Sequence, residues 1–438
     1  MKTPIKSFLE EYSRSSAVRA HMPGHKGVGD IEKYDITEIS GADSLYEASG
    51  IIAESEKNAS EIFGADTYYS TEGSSLSIRA MLYLVALYAK ENGKEPLILA
   101  ARNVHKSFVS GIALLDLKVE WLFGEGSSYL ECKISPVSLE NRIKLMKTPP
   151  TAVYLTSPDY LGNIQDIKGI SDVCRKNGIL LLVDNAHGAY LKFLTPSLHP
   201  IDLGADICCD SAHKTLPVLT GGAYLHISKN APPIFSEKAK EALSLFGSTS
   251  PSYLILASLD KMNANVPDFS TFIDKCRTFR EVLSSAGYLL VGDEEIKITI
   301  DAKKYGYLGT EMAKILENYG IFAEFSDPDF LVLMLSPENS DEDMRELLAA
   351  MKKIQKKQEI KLLPPSVSTP LRAISAREAM FSPSSEQPVD MCVGKVLSKG
   401  TFGCPPAVPI LVSGEVISED AVLAFKYYGT NSVSIVKK

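Results

Sequence analysis

Between residues 96 and 227, short apolar segments alternate with segments of helical periodicity, and this alternation constrains the fold more than any other feature. Uninterrupted apolar strands are typical of parallel sheets that helices cover on both faces. The chain is therefore predicted to be α/β, with a mostly parallel central sheet in a large domain. The predicted strands cover residues 96–100, 119–123, 152–156, 179–183, 207–209 and 223–227.

The pattern changes near residue 250, where shorter strands and helices indicate a smaller α+β unit. Leu362-Leu363-Pro364-Pro365 then interrupts the helical pattern and marks a further boundary. At roughly 150 residues per domain, 438 residues suggest two or three domains. We predict an N-terminal arm (1–45), a large cofactor domain (46–250), a small α+β domain (251–361) and a C-terminal module (362–438).

Composition excludes several classes of protein. The net charge of -8 argues against nucleic acid as the main partner, because phosphate binding relies on basic patches. Seven cysteines without a CxxC pair indicate neither a zinc site nor a disulfide framework. Cys208, Cys209 and Cys404 are interpreted as packing residues of a reduced cytoplasmic protein. No signal peptide and no apolar run of membrane-spanning length is found, so no membrane partner is expected.

Polar residues follow two of the predicted strands. Asp184 and His187 follow strand 179–183, and Ser211, His213 and Lys214 follow strand 207–209. Ligands of open α/β sheets bind beyond the carboxyl ends of the strands. Lysine can form a Schiff base with an aldehyde cofactor, and a buried carboxylate can keep a pyridine nitrogen protonated. This pairing predicts pyridoxal 5'-phosphate (PLP) as cofactor and no metal.

A phosphate site is predicted at Gly73-Ser74-Ser75, which precedes a long helix over residues 76–91. Backbone N–H groups at a helix N-terminus and serine hydroxyls suit a dianion. His105 follows strand 96–100 and could lie flat on a pyridine ring. Each feature alone is common in loops and helix caps, but their order along the chain supports one cofactor site.

These segments closely resemble the bacterial ornithine/lysine/arginine decarboxylases of PLP fold type I, the aspartate-aminotransferase superfamily. The resemblance covers nearly the whole chain, in a compact form that lacks the N-terminal wing domain of larger members. The motifs that carry it include HMPGHKG from His21, RNVHKS from Arg102, VDNAHGA from Val183, SAHKTLP from Ser211 and CPPAVPILVSGE from Cys404.

The resemblance implies roles for the matching residues. Lys214 would form the Schiff base, Asp184 would pair with the ring nitrogen, and His105 would stack on the ring. Ala186 would pack on its other face, and His187 would lie near the phenolic oxygen or the substrate carboxylate. The phosphate would be held by Ser74, Ser75, Ser211 and His213.

The implied activity is decarboxylation of lysine, arginine or ornithine to the corresponding amine and CO2, a reaction of polyamine biosynthesis. His213 or Lys214 would return a proton to Cα. Asp43 and Glu415 are candidate partners for the cationic side chain of the substrate. At least a homodimer is expected, because fold type I sites typically form between two protomers.

Four positions depart from the usual family pattern. Leu76 replaces a hydroxyl or small residue, Asn185 replaces Glu, Tyr190 replaces a second His, and Ala212 replaces Thr. The substrate, and full catalytic competence, therefore stay open. Alternatives are transamination or oxidation of a basic amino acid, or a non-catalytic PLP-binding homologue. For a transaminase, Arg372 or Arg377 would be considered as the arginine that binds the α-carboxylate.

Overall fold

The structure is a computed structural model that describes residues 1–126, 128–400 and 405–437, so the packing role predicted for Cys404 lies outside the described residues. The chain forms two compact units. The first contains Met1–Leu99, Pro136–Ser157 and Asp166–Asp268, and the second contains Ala100–Ser135, Pro158–Gln165 and Phe269–Lys438. The predicted four-part division stays a prediction.

A seven-stranded mixed sheet provides the framework of the fold. Its strands are β1 (Asp66–Ser70), β2 (Leu97–Ala101), β3 (Lys118–Leu122), β4 (Ala152–Thr156), β5 (Leu180–Asp184), β6 (Ile207–Asp210) and β7 (Ala223–Ile227). They lie in the order β1-β7-β6-β5-β4-β2-β3. β5 is parallel to β4 and β6, whereas β7 is antiparallel to β6 and β1. The predicted α/β class is confirmed.

The helices follow the predicted alternation. They are α1 (Pro4–Arg14), α2 (Ile51–Phe63), α3 (Gly73–Glu91), α4 (Lys106–Leu115), α5 (Pro136–Leu145), α6 (Ile167–Lys176), α7 (Ala212–Thr215), α8 (Pro233–Ser244), α9 (Tyr253–Ala264), α10 (Phe269–Ser285), α11 (Gly309–Glu317), α12 (Asp341–Lys353), α13 (Ala376–Phe381) and α14 (Glu419–Tyr427). Among the described residues, no helix combines the length and apolar character that crossing a membrane requires.

Local sequence explains how α6 leads into β5. The Asp166 side chain caps α6 by accepting the amide of Gly169, and the helix buries Ile167, Ile170 and Cys174 along one face. Every residue of β5 is buried, as expected for a central parallel strand. The chain therefore delivers Asp184 to the carboxyl end of a strand that has neighbours on both sides.

The second unit contains two smaller sheets. One is formed by β8 (Leu290–Val291), β9 (Lys297–Asp301), β10 (Phe325–Ser326) and β11 (Phe330–Met334), and the other by β12 (Ser384–Pro388), β13 (Leu397–Lys399) and β14 (Ser432–Val436). Their strand orders are β10-β11-β9-β8 and β12-β14-β13. A cluster that includes Leu397, Ile417, Phe425 and Val433 forms a core beside the three-stranded sheet.

Several elements differ from the sequence prediction. α3 begins at Gly73 rather than Leu76, and Gly73 has a φ of +69°, which favours glycine. α12 ends at Lys353, although its helical pattern continues to residue 357. β1 was not predicted, because its sequence DTYYS has no apolar run; it forms by antiparallel pairing with β7.

Candidate active site

The ends of β5 and β6 bring the predicted acid and amine together in the first unit. The strands are parallel neighbours, with Asp184 opposite Cys209, and β6 leads through Ser211 into α7, which carries Lys214. The Nζ of Lys214 lies 2.8 Å from the Nε2 of His187. The structure therefore groups Asp184, His187 and Lys214, three of the residues predicted from sequence.

Asp184 is a buried acid held from several directions. The Tyr154 hydroxyl donates to its Oδ2 at 3.2 Å, and the Ala186 amide donates to its Oδ1 at 3.2 Å. The Cys209 thiol also lies 3.7 Å from Oδ1. Burial raises the pKa of Asp184 above its usual value, although the charge of Lys214 and these hydrogen bonds oppose the rise. A cationic ring nitrogen would favour the ionised form of such an acid.

Tyr154 and Cys209 were not among the predicted site residues. The strand pattern contains part of the information for Tyr154. This residue lies two positions before Thr156, which pairs with Asp184 across β4 and β5. Side chains two residues apart on a strand share a face. Sequence alone does not reveal which strands are neighbours, so the contact could not be predicted.

Two of the predicted phosphate residues, Ser74 and Ser211, meet at the N-terminus of α3. The Ser211 hydroxyl donates to the Ser74 hydroxyl at 2.8 Å, and both residues are buried. Ser75 follows in the same first turn, whose backbone amides and helix dipole favour an anion. His213 is oriented by a contact of 3.0 Å between its Nδ1 and the Gly222 carbonyl oxygen. Leu76, a departure from the family pattern, is 1% exposed and belongs to the core.

This donor set fits PLP. An amine, a buried acid with a raised pKa and a pair of hydroxyls at a helix N-terminus lie within one unit. They match the aldehyde, the ring nitrogen and the phosphate of the cofactor, respectively.

His105 lies in the second unit and is the N-cap of α4. Its Nδ1 accepts the Ser107 amide at 3.2 Å and lies 2.9 Å from the Ser107 hydroxyl oxygen. The ring is therefore held by its own helix. Its stacking on the cofactor stays a prediction.

Asp43 has a local structural role. Its carboxylate caps α2 and the preceding turn by accepting backbone amides from Ser44, Ser49, Gly50, Ile52 and Ala53, at 2.8–3.3 Å. Burial raises the pKa of Asp43, but these hydrogen bonds lower it by more, so the net pKa is below its usual value. Since the backbone occupies both oxygens, the geometry does not favour the predicted contact with substrate.

Glu415 is buried in the second unit beside Arg102. Its Oε2 accepts the Arg102 guanidinium and the Val412 amide, each at 2.7 Å. Burial raises the pKa of Glu415, and the charge of Arg102 opposes the rise. Glu415 already has a cationic partner within the chain, so its predicted role toward substrate is not supported by this contact.

The two arginines considered for a transaminase contact backbone carbonyls. Arg372 donates to the Val119 carbonyl at 2.8 Å, and Arg377 donates to the carbonyls of Ala113 and Leu114 at the end of α4. These contacts assign both guanidinium groups to packing of the second unit. They give no support to a transaminase site.

Comparisons with known proteins agree with this geometry. Residues 3–268 match the family described as Orn/Lys/Arg decarboxylase, major domain. The chain belongs to this family. It is a PLP-dependent decarboxylase, which confirms the cofactor and the class of reaction predicted from sequence. The roles of individual residues stay predictions.

The similarity extends over nearly the whole chain. An arginine decarboxylase of Bacillus subtilis is 27% identical over 96% of this chain and 92% of that protein. The protein YaaO of the same organism, described as uncharacterized, is 28% identical over 96% of this chain. The lysine decarboxylase LdcF of Francisella novicida has a TM-score of 0.80 at 17% identity, over 99% of this chain and 81% of that structure. This likeness confirms PLP fold type I.

Proposed function

We propose that this enzyme decarboxylates arginine, forming agmatine and CO2. The substrate class is supported by relatives aligned over most of their length. Four arginine decarboxylases from Bacillus species and Halalkalibacterium halodurans are 26–27% identical over 94–96% of this chain. By contrast, the lysine decarboxylase LdcA of Pseudomonas aeruginosa aligns with 64% of this chain and 42% of its own length.

One observation carries the proposed chemistry: Lys214, His187 and Asp184 follow the ends of two neighbouring strands, and the Lys214 amine contacts His187. Lys214 would hold PLP covalently and Asp184 would pair with its ring nitrogen. The phosphate would be held by Ser74, Ser75, Ser211 and His213, while Ala186 and His187 lie on the turn after Asp184. When bound, PLP supplies an electron sink for the negative charge left at Cα as CO2 departs.

The chain itself has two tasks in this chemistry. Asp184 is buried and is fixed by Tyr154 and the Ala186 amide, so it would stabilise a proton on the ring nitrogen of a bound PLP. A proton must also reach Cα, because arginine and one proton yield agmatine and CO2. Lys214 and His213 are the proposed donors, and His187 lies within hydrogen-bonding distance of the Lys214 amine.

The test is product analysis with the full chain and added PLP. L-arginine should release CO2 and form agmatine, while L-lysine and L-ornithine should react more slowly. Lys214→Ala should abolish release and the visible absorbance of the bound cofactor, whereas Lys176→Ala, on the exposed face of α6, should change neither. Preference for another amino acid refutes the substrate proposal.

Two other outcomes distinguish the alternatives. A keto acid as product would indicate transamination, and bound PLP without turnover of any basic amino acid would indicate a non-catalytic homologue. We also propose that the enzyme is at least a homodimer, which light scattering on the purified holoenzyme would measure.

A further inference from the structure

Asp210 lies behind the proposed cofactor site, at the end of β6 and directly before Ser211. Its side chain is completely buried. Side chains alternate along a strand, so Asp210 points to the face opposite Cys209, whose thiol contacts Asp184. A buried carboxylate is costly unless hydrogen bonds satisfy it. The bonds made by Asp210 therefore indicate its role.

Three side chains converge on this carboxylate. The Nε2 atoms of His199 and His226 each lie 3.1 Å from Oδ2, and Asn185 donates its Nδ2 to Oδ1 at 2.7 Å. Burial raises the pKa of Asp210, but the two imidazoles lower it by more, so the carboxylate is ionised. Asp210 is thus an anion enclosed by donors from three separate segments.

The bond to Asn185 joins the two strand ends that carry the proposed cofactor residues. Asn185 directly follows Asp184, and its backbone amide donates to the Cys209 carbonyl at 3.0 Å. Asp210 directly precedes the Ser211–Lys214 turn. The Asn185–Asp210 bond is therefore a side-chain link between the ends of β5 and β6, in addition to their backbone pairing. Asp184 precedes one end of this link and the Lys214 turn follows the other, so the link helps to determine the distance between them.

This link gives a physical reason for one departure from the family pattern. A glutamate at position 185 would place a second buried carboxylate against Asp210. The two negative charges would repel each other strongly, because no water screens them there. The amide of Asn185 instead supplies a donor. Asn185 is therefore matched to Asp210 and does not by itself indicate lost activity.

A metal site is the competing interpretation, because ligand atoms of His199, Cys208 and Asp210 lie within 4.8 Å of one another. A histidine that binds a metal usually donates its other ring N–H to an acceptor. The Nδ1 of His199 is buried and has no hydrogen-bond partner among the described residues. The contact of the His199 Nε2 with Asp210 needs no metal, so the cluster fits a hydrogen-bonded network better.

We propose that Asp210 is a positioning residue for the cofactor, which acts through Asn185 to hold the Asp184 strand end against the Lys214 turn. The proposal rests on the proposed function only in assigning Asp184 and Lys214 to PLP. It is independent of which amino acid is the substrate. It predicts that breaking the link weakens PLP binding, and that restoring an amide–carboxylate pair recovers it.

The experiment measures PLP affinity of the apo protein by absorbance titration, together with its melting temperature. Asn185→Ala removes the link, and Asn185→Asp opposes two carboxylates. Each should weaken PLP binding at least tenfold. The double variant Asn185→Asp/Asp210→Asn re-forms the pair with the charge exchanged, and its affinity should be within threefold of wild type.

Thr67→Val is the matched control. The Thr67 hydroxyl contacts the Nδ1 of His226 at 2.9 Å, in the same buried cluster but outside the link to Asn185. This variant should lower the melting temperature and leave PLP affinity unchanged.

Four outcomes would overturn the proposal. First, both Asn185 variants could bind PLP as tightly as wild type does. Second, the double variant could regain the melting temperature of wild type without regaining its PLP affinity. Third, Thr67→Val could weaken PLP binding as much as Asn185→Ala does, which would show that Asp210 has only a structural role. Fourth, stoichiometric metal could be found in the purified protein. Wild type that binds PLP but releases no CO2 from arginine would refute the proposed function and leave this inference intact.

Discussion

Removing the Tyr154 hydroxyl tests whether the buried network around Asp184 supports the cofactor. Tyr154 is completely buried, and its hydroxyl donates to the Asp184 Oδ2 at 3.2 Å. Tyr154→Phe deletes this donor and leaves the ring in place. Because the bond stabilises the ionised carboxylate, its loss should raise the pKa of Asp184 further.

The magnitude can be worked out from the bond and its length. Hydrogen bonds to charged groups contribute about 1.5–3 kcal/mol. A separation of 3.2 Å is long for an O–H···O bond, so the lower end applies, about 1.5 kcal/mol. This corresponds to about a tenfold loss of PLP affinity, since about 1.4 kcal/mol is tenfold in an equilibrium constant. The loss of PLP affinity should grow as pH falls. At lower pH a larger fraction of Asp184 is protonated in the variant, and this proton must be removed before Asp184 can form the proposed pair with the ring nitrogen.

Tyr224→Phe is the matched control. Tyr224 is also completely buried, on β7 of the same sheet, but its hydroxyl has no hydrogen-bond partner among the described residues. Its removal should leave PLP affinity unchanged. Absorbance titration of apo protein with PLP measures both variants. Equal affinities for Tyr154→Phe and Tyr224→Phe would refute the role assigned to the Asp184 network.

Three further predictions concern other buried groups. Glu415→Ala should lower the free energy of unfolding by about 3–5 kcal/mol in urea denaturation, because it leaves the Arg102 charge buried and unpaired; a loss below about 1 kcal/mol would contradict this. Burial raises the pKa of Asp327 to about 6, so its stabilising contribution is present below pH 4 and lost as pH rises through about 6. From the usual value of 3.8, this amounts to about 3 kcal/mol over the whole titration. The stability difference between wild type and Asp327→Asn should therefore fall by about 2.5 kcal/mol between pH 4 and 8; a constant difference would refute it. Asp184→Asn should weaken PLP binding more than Tyr154→Phe, because it removes the proposed anionic partner of the ring nitrogen altogether, and equal affinities would show that the charge is not needed.

Local sequence was enough to predict the main elements, and it placed the candidate site residues after the strands. The segments that become β5 and β6 are short and mostly apolar, and each is followed by polar residues. Asp184 and Lys214 were recognisable because both follow such segments, and in a parallel sheet the carboxyl ends of the strands share an edge. The family membership confirms the cofactor that this pattern predicted.

Contacts between distant segments were not predictable in this way. Asp43 and Glu415 are acids in recognisable motifs, but one caps α2 and the other pairs with Arg102, 313 residues away. β1 has no apolar run and forms because β7 presents an edge to it. Nothing in the local pattern indicates the partner of an acid or of an edge strand.

The sequence by itself therefore determined the fold class and the cofactor, because these depend on periodicity and on the polar residues at the end of each strand. The roles of the individual site residues stay predictions. Only the tertiary structure decided how the acids are used. A hydrogen bond requires its donor and acceptor to lie about 3 Å apart, within a few tenths of an ångström, and here these atoms belong to residues far apart in the chain. Asn185 illustrates the difference: in sequence it is a departure from a family pattern, and in the structure it is the donor that a buried Asp210 requires.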